Sequence, residues 1–410
     1  MIPIFQKVLG ITLYLIMIPD LSAKDWPQWL GPNRDGTVSV SLKPWNGELP
    51  VAWEIEVGEG HSFPIVGGRT VFLHHKANDR DEEVLTAWSL DGKQLWQMRN
   101  TRKAFSSQFG DGPRATPVYS AGRIYSLGVT GLLICRDAAT GKEIWQKDLL
   151  AQFQAKNLFF GISSSPLVDE QHVYVMPGGQ MGSVVAFNKV DGTVAWTAGK
   201  DAASYASPML TAVEGQTVLV FQTQVAVVGL NPQDGTEFFR IPLRDLLNES
   251  STTPVRIGDI LFASSVTFGS LGSRLRRIGE KVEVQPVWRN NSLTCYFGTP
   301  VVHGEYLYAV TGQLLKPRAT LHCIDPKTGT SRWNKPGVGT YHATLLKTRE
   351  HLLMLEEQGD LVLVEPYPAE YRELSRTKVC SMTWAHPAYA QGLLLVRDAR
   401  TLKAIRLPVQ

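Results

Sequence analysis

The chain has 410 residues, with 41 Lys+Arg against 38 Asp+Glu for a formal net charge of +3. So small an excess over this length excludes a nucleic-acid footprint built on clustered cations, and 43% hydrophobic with 19% charged residues excludes wholesale disorder. The 36 Gly and 24 Pro point instead to a fold rich in turns.

Residues 1–23 are the first element. Lys7 gives a positive start, Val8–Ile18 is an apolar run too short for a bilayer span of about 20 residues, and Ser22 and Ala23 are small enough for cleavage. Together they predict a secretory signal peptide, with a buried N-terminal strand or helix as the alternative. An N-terminal extension, residues 24–48, follows. No later stretch is long and apolar enough to span a membrane, so the mature chain is expected in the periplasm or outside the cell.

From Leu49 onward the chain repeats. A tight turn followed by an aromatic recurs in Leu90–Trp96, Ala139–Trp145, Val190–Trp196, Gln233–Phe239 and Lys327–Trp333. Each turn carries a glycine behind Asp or Thr, the chemistry of a hairpin. Trp53 and Trp288 fill the same slot with eroded turns, and successive aromatics from Trp53 to Trp333 lie 43–51 residues apart. Upstream of each slot lies a second marker, usually a small or polar residue before proline. It appears at Phe63, Thr116, Ser165, Ser207, Thr253 and Thr299, at His342 without the proline, and at His386.

Each repeat therefore reads as four antiparallel strands, one propeller blade. Eight markers predict an all-β, eight-bladed β-propeller over residues 49–410, although a misread Arg274–Asn291 would give seven or nine. Only three strands fit after His386. The orphan strand Leu49–Val57 is expected to complete the last blade and close the ring, which leaves no open sheet edge. The Trp/Phe slot is read as filling the wedge between neighbouring sheets.

Other local signals are weak. Cys135, Cys295, Cys323 and Cys380 have no metal or redox spacing and are read as structural thiols, with pairing in an exported protein as the alternative. Cys135 and Cys323 hold equivalent places in the second and sixth blades, across the ring and beyond the ~7 Å limit of a disulfide. Asn78–Glu83 is read as a solvated loop, Arg274, Arg276 and Arg277 as a basic surface loop, and Ser163–Ser165 as strand-entry serines. His74 and His75 are neighbours on a strand, so they face opposite ways and cannot share a metal. No catalytic or metal-ligating set emerges.

What remains is the channel mouth. The marker ring places Thr116, Ser165, Ser207, Thr253, Thr299, His342 and His386 there, with Phe63 as the odd member. Arg114 joins it by the period-two rule for strands. An Arg with two imidazoles suits a small anionic or polar ligand; the alternative is that these groups bind one another and ordered water.

The Gly-x-x-x-Trp strand ends resemble the PQQ-like β-propeller repeat family, which includes quinoprotein alcohol dehydrogenase-like proteins and the BamB scaffold. The segment Trp26–Gly36, WPQWLGPNRDG, with Gly112–Pro117 and Trp384–Pro387, is similar to an exported bacterial branch of that family. For the family's enzymes the resemblance implies PQQ at one end of the channel, a Ca²⁺-like ion on carboxylate and amide oxygens, a catalytic Asp, a Trp under the quinone and a vicinal disulfide. No position here matches those groups and no two cysteines are adjacent, so no cofactor is expected. The expected function is an exported, non-catalytic propeller that holds an envelope protein partner or a small ligand. The alternative is a PQQ- or other cofactor-dependent dehydrogenase with its site at the channel mouth.

Overall fold

A computed structural model describes residues 25–312 and 317–410; residues 1–23, expected to be a signal peptide, lie outside them. Eight four-stranded antiparallel sheets follow one another in chain order. The first blade is Ile65–Gly67, Thr70–Lys76, Glu82–Ser89 and Gln94–Thr101. The eighth is Ala388–Ala390, Leu393–Arg397, Thr401–Arg406 and, from the other end of the chain, Val51–Glu56. Ile55 sits opposite Leu402 and Val51 opposite Ile405, so the ring closes as the sequence predicts.

Burial explains the strand patterns. The second and third strands of each blade are covered on both faces by neighbouring blades and read as unbroken apolar runs, as in Leu352–Glu356 and Asp360–Glu365. Fourth strands face solvent and bury chiefly the slot aromatic, as in Val194–Ala198 around Trp196.

The slot does more than fill a wedge. The indole N–H groups of Trp53, Trp96, Trp145, Trp196, Trp288 and Trp333 each donate to a backbone carbonyl of the next blade, at 2.7–3.3 Å. Each acceptor, such as Leu90, Ala138 or Lys189, lies just before the next blade's outer turn or loop, so the aromatic both packs and clamps. Opposite each slot on the third strand stands a small residue: Ala87, Cys135, Ala186, Gly229, Gly272, Cys323 and Ala404. This accounts for Cys135 and Cys323, which are buried free thiols, as are Cys295 and Cys380. A Cβ at Gly229 would overlap the Phe239 ring, and one at Gly272 the Trp288 ring.

Two loop expectations are corrected. Glu83 is not solvated: it lies in the strand Glu82–Ser89, 2% exposed, and its Oε1 accepts the Val129 N–H at 2.8 Å. Arg274, Arg276 and Arg277 lie in a strand, Gly269–Ile278, whose far end projects as an exposed hairpin with Lys281–Asn290. The ladder there extends beyond the blade, which is why the repeat looked degenerate.

The N-terminal extension crosses the channel. Trp26 exchanges backbone hydrogen bonds with Val66 of the first blade, and the Pro27 carbonyl accepts the Tyr119 N–H of the second. The Arg34 guanidinium donates to the Pro166 carbonyl of the third blade at 2.8 Å. Four residues on, Val38 N–H donates to the Lys347 carbonyl of the seventh blade, across the ring. The segment plugs one end of the channel.

Candidate binding site at the channel mouth

The marker residues precede the innermost strands, and the backbone there forms a relay around the ring. Phe63 N–H donates to Thr116 Oγ1, Thr116 N–H to Ser165 Oγ, Ser165 N–H to Ser207 Oγ, Ser207 N–H to Thr253 Oγ1 and Thr253 N–H to Thr299 Oγ1, at 2.9–3.3 Å. The five hydroxyls are thus inter-blade staples. They satisfy buried N–H groups that the short innermost strands leave unpaired. Each oxygen accepts a backbone N–H, and that of Thr253 also donates to the Ser207 carbonyl at 3.0 Å.

The relay stops at the seventh and eighth blades, where imidazoles replace the hydroxyls. His342 and His386 are 2% and 3% exposed, with ring centroids 5.9 Å apart. Both nitrogens of His342 and Nδ1 of His386 lack hydrogen-bond partners. Burial outweighs the nearby Glu357 carboxylate and the Trp384 backbone, which both favour protonated His342. Burial pushes His342 down to about 4 and His386 well below its ordinary value, so both are neutral near pH 7.

A cavity sits above this ring. Six of the eight candidate residues line it: Arg114, Ser165, Ser207, Thr299, His342 and His386. Thr116 and Thr253 do not; they are buried in the relay. Beyond Arg114, a second ring that the sequence expectation does not include follows from the same period-two spacing. Two residues before the markers stand His61, Arg114, Ser163, Tyr205, Ser251, Phe297 and Trp384, all lining the cavity.

The upper ring is aromatic and interlocked. Trp384 stacks on Phe297 at 5.3 Å and on His61 at 5.4 Å between centroids. Its indole N–H donates to Glu357 Oε1 at 2.7 Å, while Oε2 of that buried carboxylate accepts the Thr340 and Tyr341 N–H groups. Glu357 thereby fixes the Trp384 plane. His61 Nε2 carries its proton, because it faces the Phe109 carbonyl at 2.8 Å. Burial, chiefly, and nearby Arg114 hold His61 down at about 4.

Arg114 spends N–H groups on the Gly112 and Gly110 carbonyls, at 3.0 and 2.8 Å, and burial lowers it to about 10. The floor is Trp29 from the plug, its ring 6.4 Å from His386 and stacked under Arg34 at 5.1 Å. Lining residues thus include eight aromatic or imidazole rings besides His342 and His386, but no carboxylate. Among the described residues, no group of three or more His, Cys, Asp or Glu side chains is placed to hold a metal ion. A quinone with a divalent ion on carboxylates does not fit this lining.

Fold and site define a closed eight-bladed propeller, plugged at one end and carrying an aromatic pocket at the other. Residues 80–335 match the family model described as outer membrane protein assembly factor BamB, and the chain belongs to that family. It is similar to BamB of Yersinia pestis, 23% identical over 320 residues that cover 72% of this chain and 76% of that protein. Solved structures share the fold. The BamB structure from Moraxella catarrhalis has a TM-score of 0.60 at 13% identity, covering 88% of this chain and 98% of that one. A europium-containing methanol dehydrogenase has 0.70 at 13% identity, covering 93% and 89%. The quinohemoprotein alcohol dehydrogenase of Comamonas testosteroni has 0.68 at 12% identity, covering 94% and 81%.

Proposed function

We propose that this protein is an exported, non-catalytic binding propeller of the bacterial envelope, holding a protein partner on its loop face and a small ligand in the channel-mouth pocket. The observation that carries the reading is the lining itself: rings, hydroxyls and neutral imidazoles around one guanidinium, with no carboxylate and no activated nucleophile. Such groups orient a bound molecule but have no strong base or charge pair with which to transform it.

The family supports the envelope location and the partner. The same face carries exposed apolar side chains on the loops around the pocket, Phe159, Met181, Leu246 and Met382, which suit a protein contact. No helix among the described residues is long and apolar enough to cross a membrane.

Affinity purification from envelope extracts tests the partner. A specific co-purifying protein, lost in a Phe159→Ser/Leu246→Ser/Met382→Ser variant, is the expected result; a partner retained by that variant excludes this face. Adding PQQ with Ca²⁺ and assaying dye-linked alcohol oxidation tests the enzyme alternative. No turnover is expected.

A further inference from the structure

We propose that the channel-mouth pocket takes a compact, uncharged, polyhydroxylated ring, a monosaccharide unit, seated between Trp384 at the mouth and His342 and His386 below. This deepens the ligand half of the proposed function and rests on it.

The first observation is His342. It is 2% exposed, borders the cavity and has neither nitrogen hydrogen-bonded. A buried polar side chain left without partners is costly, so a ring in this position is explained by something polar in the cavity. A neutral imidazole offers one donor and one acceptor. Hydroxyls match it from either side, because each both donates and accepts.

The second observation is the staple ring. Ser165, Ser207 and Thr299 border the cavity and use their oxygens to accept backbone N–H groups. A hydroxyl so engaged keeps its own proton to donate. The lower half of the pocket therefore presents a band of hydrogen-bond donors and mixed donor–acceptors, with little net charge.

The third observation excludes the other ligand classes. An anion would find one guanidinium, already shared among three carbonyls, and three imidazoles held neutral by burial. Burying a carboxylate without full compensation is costly. A purely apolar ligand would leave the two imidazoles unpaired. A sugar ring has equatorial hydroxyls for the imidazole–hydroxyl band and polarised C–H groups for the aromatic rings that line the cavity, Trp384 and Phe297 among them. The cavity volume of ≈ 130 Å³ is close to the ~150 Å³ of an engineered cavity that holds one six-membered ring.

The test titrates the full-length mature protein with glucose, galactose, xylose and sorbitol, and with benzoate as the planar anion and cyclohexanol as the apolar ring. Tryptophan fluorescence and calorimetry report binding, and long-range proton–nitrogen spectra of histidine-labelled protein report the imidazoles. We expect at least one aldose to bind, to shift the His342 ring nitrogens, and to lose about tenfold or more in affinity in His342→Phe. Trp384→Ala, nearer the mouth, should lose affinity similarly and covers the case in which His342→Phe does not fold. Benzoate binding that weakens with salt, with no sugar bound, overturns the monosaccharide assignment and leaves the ligand-binding reading standing. Binding of none of the probes, with the imidazoles reporting water alone, overturns the assignment; the partner half of the proposed function is then judged by its own pull-down.

Discussion

Ser375 and Trp45 hold each other by two hydrogen bonds: the Ser375 hydroxyl accepts the Trp45 N–H at 2.7 Å and donates to the Trp45 carbonyl at 2.8 Å. Ser375 occupies the slot position of the seventh blade, opposite Leu363 where other blades place Ala, Gly or Cys. The aromatic missing from that blade has a counterpart in the N-terminal extension. Trp45 is 8% exposed, within the same apolar cluster as Leu363 and Leu402.

Trp45→Ala should therefore cost about 3–5 kcal/mol, as for other buried Trp deletions. Denaturant unfolding checks it. A loss below about 1 kcal/mol would mean that the extension merely rests on the blade.

The staples make a different prediction. Ser207→Ala leaves the buried Ser165 N–H without its acceptor and should cost about 1–3 kcal/mol, whereas Ser207→Thr keeps the oxygen and should cost much less. Hydrogen exchange at the Ser165 amide should accelerate in the alanine variant beyond what its global stability loss explains.

Small residues opposite the slots are there for volume. Gly272→Ala should destabilise by about 1–3 kcal/mol, because the added methyl overlaps the Trp288 ring. Thermal denaturation would show it, and an unchanged midpoint would mean that the ring has room to move.

Much of this was legible beforehand, and the failures have physical causes. Repeats, blade count and the closing strand follow from turn chemistry and alternation, which are local. The relay joins Ser165 to Ser207 across 42 residues through backbone N–H groups, and no side-chain pattern announces a backbone donor. Glu83 looked solvated because its sequence neighbours are charged; its burial depends on Val129, His74 and Arg102 from elsewhere. The second cavity ring was readable, since residues two apart on an extended chain share a side, as His61 with Phe63 and Trp384 with His386.

Stability should fall in mild acid. His61 and His342 are held at about 4, His74 at about 3 and His386 well below its ordinary 6.5, all chiefly by burial. Between about pH 6.5 and 4 the unfolded chain binds protons that the folded chain refuses, so each histidine removes up to about 1.4 kcal/mol per pH unit. Glu83 works in the opposite sense, because burial raises its carboxyl and the folded state takes up that proton first. One carboxyl does not offset four imidazoles. Urea midpoints should be level above about pH 7 and drop steeply from 6.5 towards 4; a level profile down to pH 5 would mean that the imidazoles are protonated in the native state.

The most direct test of a propeller that works by holding other molecules is native mass spectrometry of the protein isolated from its own host. Mass in excess of the chain is expected, an uncharged small molecule or a partner subunit, with the small molecule reduced in Trp384→Ala. The bare chain mass from wild-type extracts, with alcohol oxidation appearing on addition of PQQ and Ca²⁺, would contradict it.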